Sequence, residues 1–152
     1  MKKILIIDDD PAIRQGYQIR LKANGYDPYF AVDAISGITE ARRHHPDLII
    51  LDLGLPAGDG FLVMERLKLT TRLSMVPILV VSARDRLATK QKAIKAGASA
   101  FLQKPVDNGV LLAYIRKILE EPVCWPRSWS ARRGNVPRAH PSPTAGSMSI
   151  DA

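Results

Sequence analysis

Pro46-Asp47-Leu48-Ile49-Ile50-Leu51-Asp52 sets four aliphatic residues in a row directly before a carboxylate. A strand with one wet face alternates apolar and polar residues, whereas an unbroken apolar run marks a strand covered on both faces, as in a parallel sheet with helices on either side. The stretch therefore predicts a buried strand over Leu48–Leu51. The same pattern recurs earlier and later in the chain. Lys3–Ile7 carries Ile4-Leu5-Ile6-Ile7 ahead of Asp8-Asp9-Asp10, and Pro77–Val81 carries Ile78-Leu79-Val80-Val81 ahead of Ser82. Tyr26–Val32 and Ser99–Leu102 complete a set of five segments with strand character.

The intervening segments have helical length and spacing. Ile13, Tyr17, Ile19 and Leu21 form one apolar pattern, Ile94 between Lys90 and Lys95 another, and Leu111, Leu112, Ile115, Ile118 and Leu119 a third. Asp10-Pro11 reads as an N-cap followed by proline in the first turn, and Asp107 as a second cap. Asn24-Gly25 and Ala96-Gly97 read as helix stops. His44-His45 before Pro46 also suits a helix end, where a cation meets the negative pole of the helix, and is read as capping rather than metal binding. The order is thus β-α repeated five times, a doubly wound five-stranded parallel α/β sheet with five helices. In such sheets ligands bind outside the carboxyl ends of the strands.

Composition bounds the rest. At 152 residues and 46% apolar content the chain has room for one domain and a tail. Its only cysteine, Cys124, excludes an internal disulfide and a cysteine-built zinc site. The apolar runs are far shorter than a bilayer requires, so neither a membrane span nor a signal peptide is expected, and a cytoplasmic location fits. The net charge of +7 divides into +4 for residues 1–121 and +3 for residues 122–152. The body mixes signs as a solvated surface does, so direct nucleic-acid binding is not expected from basicity alone. From Pro122 onward prolines alternate with Ser, Arg and Gly and helical periodicity stops, which predicts a disordered tail over 122–152 with no room for an output domain.

The strand ends gather the chemistry. Asp8 and Asp9 follow the first strand, Asp52 the third, Ser82 the fourth and Lys104 the fifth. Three converging carboxylates repel one another unless a cation joins them, and an oxygen-only donor set selects a hard ion such as Mg²⁺. A carboxylate can also be a nucleophile toward phosphorus, and a phosphoryl group on it would need positive charge and hydrogen-bond donors nearby, which Lys104, Ser82 and the metal supply.

These pieces, in this order and spacing, resemble the receiver domain of bacterial two-component response regulators, from residue 1 to about 120. The resemblance is carried by Asp8-Asp9-Asp10 after Ile4–Ile7, by Pro46 to Asp52 running on through Leu53-Gly54-Leu55-Pro56 to Asp59-Gly60, by Val81-Ser82-Ala83, by Gly97-Ala98 and by Lys104-Pro105. It implies a flavodoxin-like sheet of order 2-1-3-4-5 and a single-domain response regulator in a phosphorelay. Asp52 would be phosphorylated by a partner histidine kinase or phosphotransfer protein. Asp9, Asp52 and the Gly54 backbone carbonyl would bind Mg²⁺ directly, with Asp8 acting through metal-bound water. Lys104 would pair with the phosphoryl oxygens, and Pro105 would follow a cis peptide.

Ser82 and Phe101 would form the switch, the hydroxyl moving to the phosphoryl group and the aromatic ring turning inward. Phe101 stands where the family often has tyrosine. Gly54 and Arg84 flank the path of an attacking water. The output surface would be the face of the fourth helix, fifth strand and fifth helix, docking a downstream protein. Beyond its own phosphorylation and slow dephosphorylation no enzyme activity is expected. Two other readings stand beside this one: a transcription regulator that has lost its DNA-binding output domain, and an Asp-based phosphatase using Asp8 and Asp10. In the tail, Trp125 and Trp129 with Arg127, Arg132 and Arg133 could contact a nucleic acid or a partner, or be inert.

Overall fold

A computed structural model describes residues 1–55, 60–83 and 87–119. Five strands alternate with five helices: β1 Lys3–Ile7, α1 Pro11–Ala23, β2 Asp27–Ala31, α2 Ala34–His44, β3 Leu48–Asp52, α3 Gly60–Leu69, β4 Ile78–Ser82, α4 Leu87–Lys95, β5 Ala100–Gln103 and α5 Asn108–Ile118. The strands form one sheet in the order β2-β1-β3-β4-β5, every pair parallel. The unbroken apolar runs are its interior: all five residues of β3 and all five of β4 are buried. Alternate side chains of these strands enter two separate cores. Leu5, Ile7, Ile49, Leu51 and Val80 pack with Val63, Met64 and Leu67 of α3, whereas Ile4, Ile6, Ile50 and Val81 pack with Tyr17 and Leu21 of α1 and Tyr114 and Ile115 of α5. The charged tail of the sequence reading, with Cys124 and the tryptophans, lies outside the described residues, as do Pro56, Asp59 and Arg84.

Helix starts follow local chemistry. The Asp10 carboxylate accepts from the Ala12 and Ile13 N–H groups, with Pro11 in the first turn, and Asp107 accepts from the Val110 N–H. Asp33 and Ser36 form a reciprocal capping box at the start of α2. Gly25 and Gly97 take positive φ of 85° and 110°, the left-handed geometry that ends α1 and α4. His45, also at positive φ (50°), caps the end of α2.

Two apolar positions differ from the sequence expectation. Ile19 is 65% exposed, because Tyr17 and Leu21, one helical turn apart, set the buried face of α1 and position 19 lies about 200° around from position 17 at 3.6 residues per turn. Ile94 is also exposed; the short helix α4 turns Ala93 into the core instead. Among the described residues no helix is long and apolar enough to cross a membrane.

Candidate functional site

Parallel strands bring all their carboxyl ends to one edge, so residues far apart in sequence meet there. Asp8 follows β1, Asp52 closes β3, Ser82 closes β4, and Lys104 follows β5. Asp8, Asp9 and Asp52 each offer a carboxylate oxygen, and the three lie within 4.8 Å of one another. The Lys104 ammonium reaches into the group, with Nζ 3.1 Å from Asp8 Oδ2 and 3.4 Å from Asp52 Oδ2. The Lys104–Pro105 peptide bond is cis.

Each carboxylate is held differently. Asp8 is buried; its Oδ1 accepts the Asp10 N–H at 2.9 Å, and its backbone carbonyl accepts from the Arg14 guanidinium at 2.9 Å. Burial pushes the Asp8 carboxyl above its ordinary pKa, and the Asp10 N–H and Lys104 offset only part of that rise. Asp52 is also buried, and its Oδ1 accepts the Gly54 N–H at 2.9 Å, a two-residue turn that fixes the carboxylate plane. A Cβ at position 54 would stand 3.4 Å from that same oxygen, so the glycine leaves the approach to Asp52 open. Asp9 is exposed at the rim. Burial disfavours the charge on Lys104, but the hydrogen bond to Asp8 and the field of Asp52 outweigh it and hold the lysine above its ordinary pKa.

Ser82 is 1% exposed beside this group, and Phe101 is half-buried against the α3 side of the core, on the strand next to it. The structure thus brings together Asp8, Asp9, Asp52 and Lys104, with Gly54 and Ser82 alongside. Asp10 does not join them; both its recorded acceptor contacts serve the cap of α1. The sequence reading did not reach two features, the direct Lys104–Asp8 contact and the Arg14 clamp on the Asp8 carbonyl. Neither has a spacing signal, since one joins residues 96 positions apart and the other crosses a loop into a helix.

An oxygen-only donor set of three carboxylates fits a hard divalent cation. The fit is also geometric. A Mg²⁺ octahedron with bonds of about 2.1 Å is about 4.2 Å across. The three oxygens, within 4.8 Å of one another, are spaced closely enough to share one such ion.

A parallel sheet of this order, with an acidic cluster and a lysine at its carboxyl edge, defines a flavodoxin-like α/β domain of the CheY kind. The response regulator receiver domain family matches residues 4–116, and the chain belongs to that family. The chain is 44% identical over 119 residues to the DNA-binding dual master transcriptional regulator RpaA of Synechocystis, covering 78% of this chain and 49% of the relative. It is 40% identical over 119 residues to the KDP operon transcriptional regulatory protein KdpE of Escherichia coli, covering 78% and 52%. Among solved structures, the chemotaxis response regulator CheY4 of Vibrio cholerae superposes with a TM-score of 0.73 at 28% identity, over 78% of this chain and 98% of that one. The chain spans about half the length of the curated relatives it matches. Receiver domains are, as a rule, non-enzymatic signalling domains of two-component phosphorelays. They bind Mg²⁺ at an acidic pocket and meet histidine kinases or phosphotransfer proteins.

Proposed function

We propose that Asp52 is the phosphoacceptor of a cytoplasmic signalling switch. The observation that carries this reading is the convergence of the Asp52 carboxylate with Asp8, Asp9 and the Lys104 ammonium at one strand edge. An Asp52 oxygen forms a bond to phosphorus as the P–N bond of a donor phosphohistidine breaks, and the departing imidazole takes up a proton. Asp8, Asp9, Asp52 and the Gly54 carbonyl would hold Mg²⁺, which when bound supplies charge neutralisation between the entering phosphoryl group and the carboxylates. Lys104, 3.4 Å from Asp52 Oδ2, would turn from Asp8 to the phosphoryl oxygens. Ser82 supplies a hydroxyl from the end of β4, and Phe101 packs into the space that hydroxyl leaves.

The consequence is a shift between two conformations and a change in what docks on the face of α4, β5 and α5. That partner is a downstream protein in a single-domain response regulator, with residues 122–152 as a separate tail. The half-length match to transcription regulators supports a second reading, in which the same receiver serves a DNA-binding output.

The test is intact-protein mass after incubation with acetyl phosphate and Mg²⁺. Wild type gains the mass of one phosphoryl group, and Asp52→Asn gains none. Mass added equally to both proteins would overturn the assignment.

A further inference from the structure

On the face of the sheet that carries α1 and α5, a cleft of about 290 Å³ opens between the two helices. Its apolar walls are Ile13 of α1, Val81 of β4, Val106 in the loop before α5, and Leu111 of α5. Its polar lining is Tyr17 and Arg20 of α1, with Lys104 and Asn108. The size approaches that of a small-molecule site, and the mixture of apolar wall and a few polar groups is what such sites use.

Three observations point to an occupant. Tyr17 is only 5% exposed, yet its hydroxyl has no hydrogen-bond partner among the described residues. A buried hydroxyl without a partner is costly, so this one calls for an acceptor in the cleft. Burial and the charge of Asp8 hold the phenol well above its ordinary pKa, so it offers a donor at every physiological pH. Next, the half-buried Arg20 guanidinium has no carboxylate partner among the described residues, and it lies close enough to Tyr17 to act on its titration. Third, Gly16 stands in the middle of α1, where glycine weakens a helix. Packing does not require it, since a Cβ there would meet only Arg20 Nη2 at 3.6 Å. The glycine's effect is to keep the cleft open.

Along α1 the cleft runs from Ala12 to Arg20, about 12 Å at 1.5 Å rise per residue. The Arg20 guanidinium folds back along the helix to position 16, so its positive charge lines the cleft and opposes the field of Asp8 at the Tyr17 hydroxyl. We infer that this cleft binds a small organic carboxylate, its charged end on Arg20 and the Tyr17 hydroxyl and its apolar body against Ile13, Val81 and Leu111. Arginine suits this role because its planar fork matches a carboxylate in two-point contact. The cleft shares Lys104 with the strand-end site, but its binding of a carboxylate does not depend on Asp52 being the phosphoacceptor.

Benzoate is a suitable probe, with benzyl alcohol as its neutral counterpart. Titration of the full chain, followed by backbone amide chemical shifts, should show saturable benzoate binding with shifts concentrated in residues 12–20 and 104–111. Benzyl alcohol should bind at least tenfold more weakly. Arg20→Gln should weaken benzoate about tenfold or more, one lost charge-assisted contact. Gly16→Leu fills the cleft from a helix position that tolerates a side chain; it should abolish binding while raising the melting temperature. Absence of saturable binding, equal binding of the alcohol, or benzoate affinity unchanged in Arg20→Gln or Gly16→Leu would overturn the assignment.

Discussion

The two ends of the sheet handle charge in opposite ways. At the carboxyl end three carboxylates crowd a single ammonium, and the group carries a surplus of one sign. At the amino end the charges pair off locally. The Lys3 N–H donates to Asp47 Oδ2 at 2.8 Å and its ammonium to the His44 carbonyl at 3.0 Å. His44 Nε2 meets Glu40 at 3.1 Å, and its ring stacks on Tyr29, whose hydroxyl donates to Asp27. Charges arranged for stability find partners within the protein; charges arranged for a ligand are left over, and the fold bears the repulsion until the ligand arrives.

That contrast can be broken most severely at Lys104. Removing it with Lys104→Met leaves the carboxylates without their internal counter-charge. We expect metal-free stability in urea unfolding to fall by about 2 kcal/mol, less than for a fully enclosed pair because the lysine remains partly exposed. Mg²⁺ should restore much of the loss. Because the lysine's pKa is raised on folding, its contribution is complete below its ordinary value and is lost only as the pH rises through the folded one.

Asp8→Asn should act in the opposite direction. The Asp8 pKa is also raised, and for a carboxyl that means stability present at acid pH and lost as the pH rises from its ordinary value through the folded one. At neutral pH the ionised Asp8 is thus a cost, set mainly by the burial of its charge, and the asparagine should gain on the order of 1 kcal/mol without metal. The same variant should lose most of the stabilisation that Mg²⁺ gives wild type, measured as the shift in melting temperature with added Mg²⁺. At the other end, Glu40→Gln removes only a partly exposed pair one helical turn apart and should change stability by less than about 0.5 kcal/mol. An effect at Glu40 as large as that at Lys104 would erase the distinction between the ends.

The sequence made the fold legible because its strands are uniformly apolar: β3 and β4 match their runs to within a residue. The carboxyl-edge site followed from the same runs, since each ends directly before a chemically active side chain. Helix faces were less legible. Ile19 and Ile94 are as hydrophobic as core residues, and only the partner surface decides which side of a helix is covered. The cleft on Arg20 was hidden for a different reason. Tyr17 reads as core from its spacing, and nothing in a linear pattern shows that its hydroxyl ends without a partner.

The strand order also bears on how the chain is made. β1 is synthesised first yet lies inside the sheet, bonded to β2 on one side and β3 on the other. β3 joins the free edge of β1, and from β4 onward each new strand joins the edge left by its predecessor. At ribosomal rates of about 5–20 residues per second, each βα unit arrives seconds after the edge it will cover. Growth of the sheet and growth of the chain therefore run in one direction after a single reversal, and the acidic edge is completed only when Lys104, last of its members, emerges.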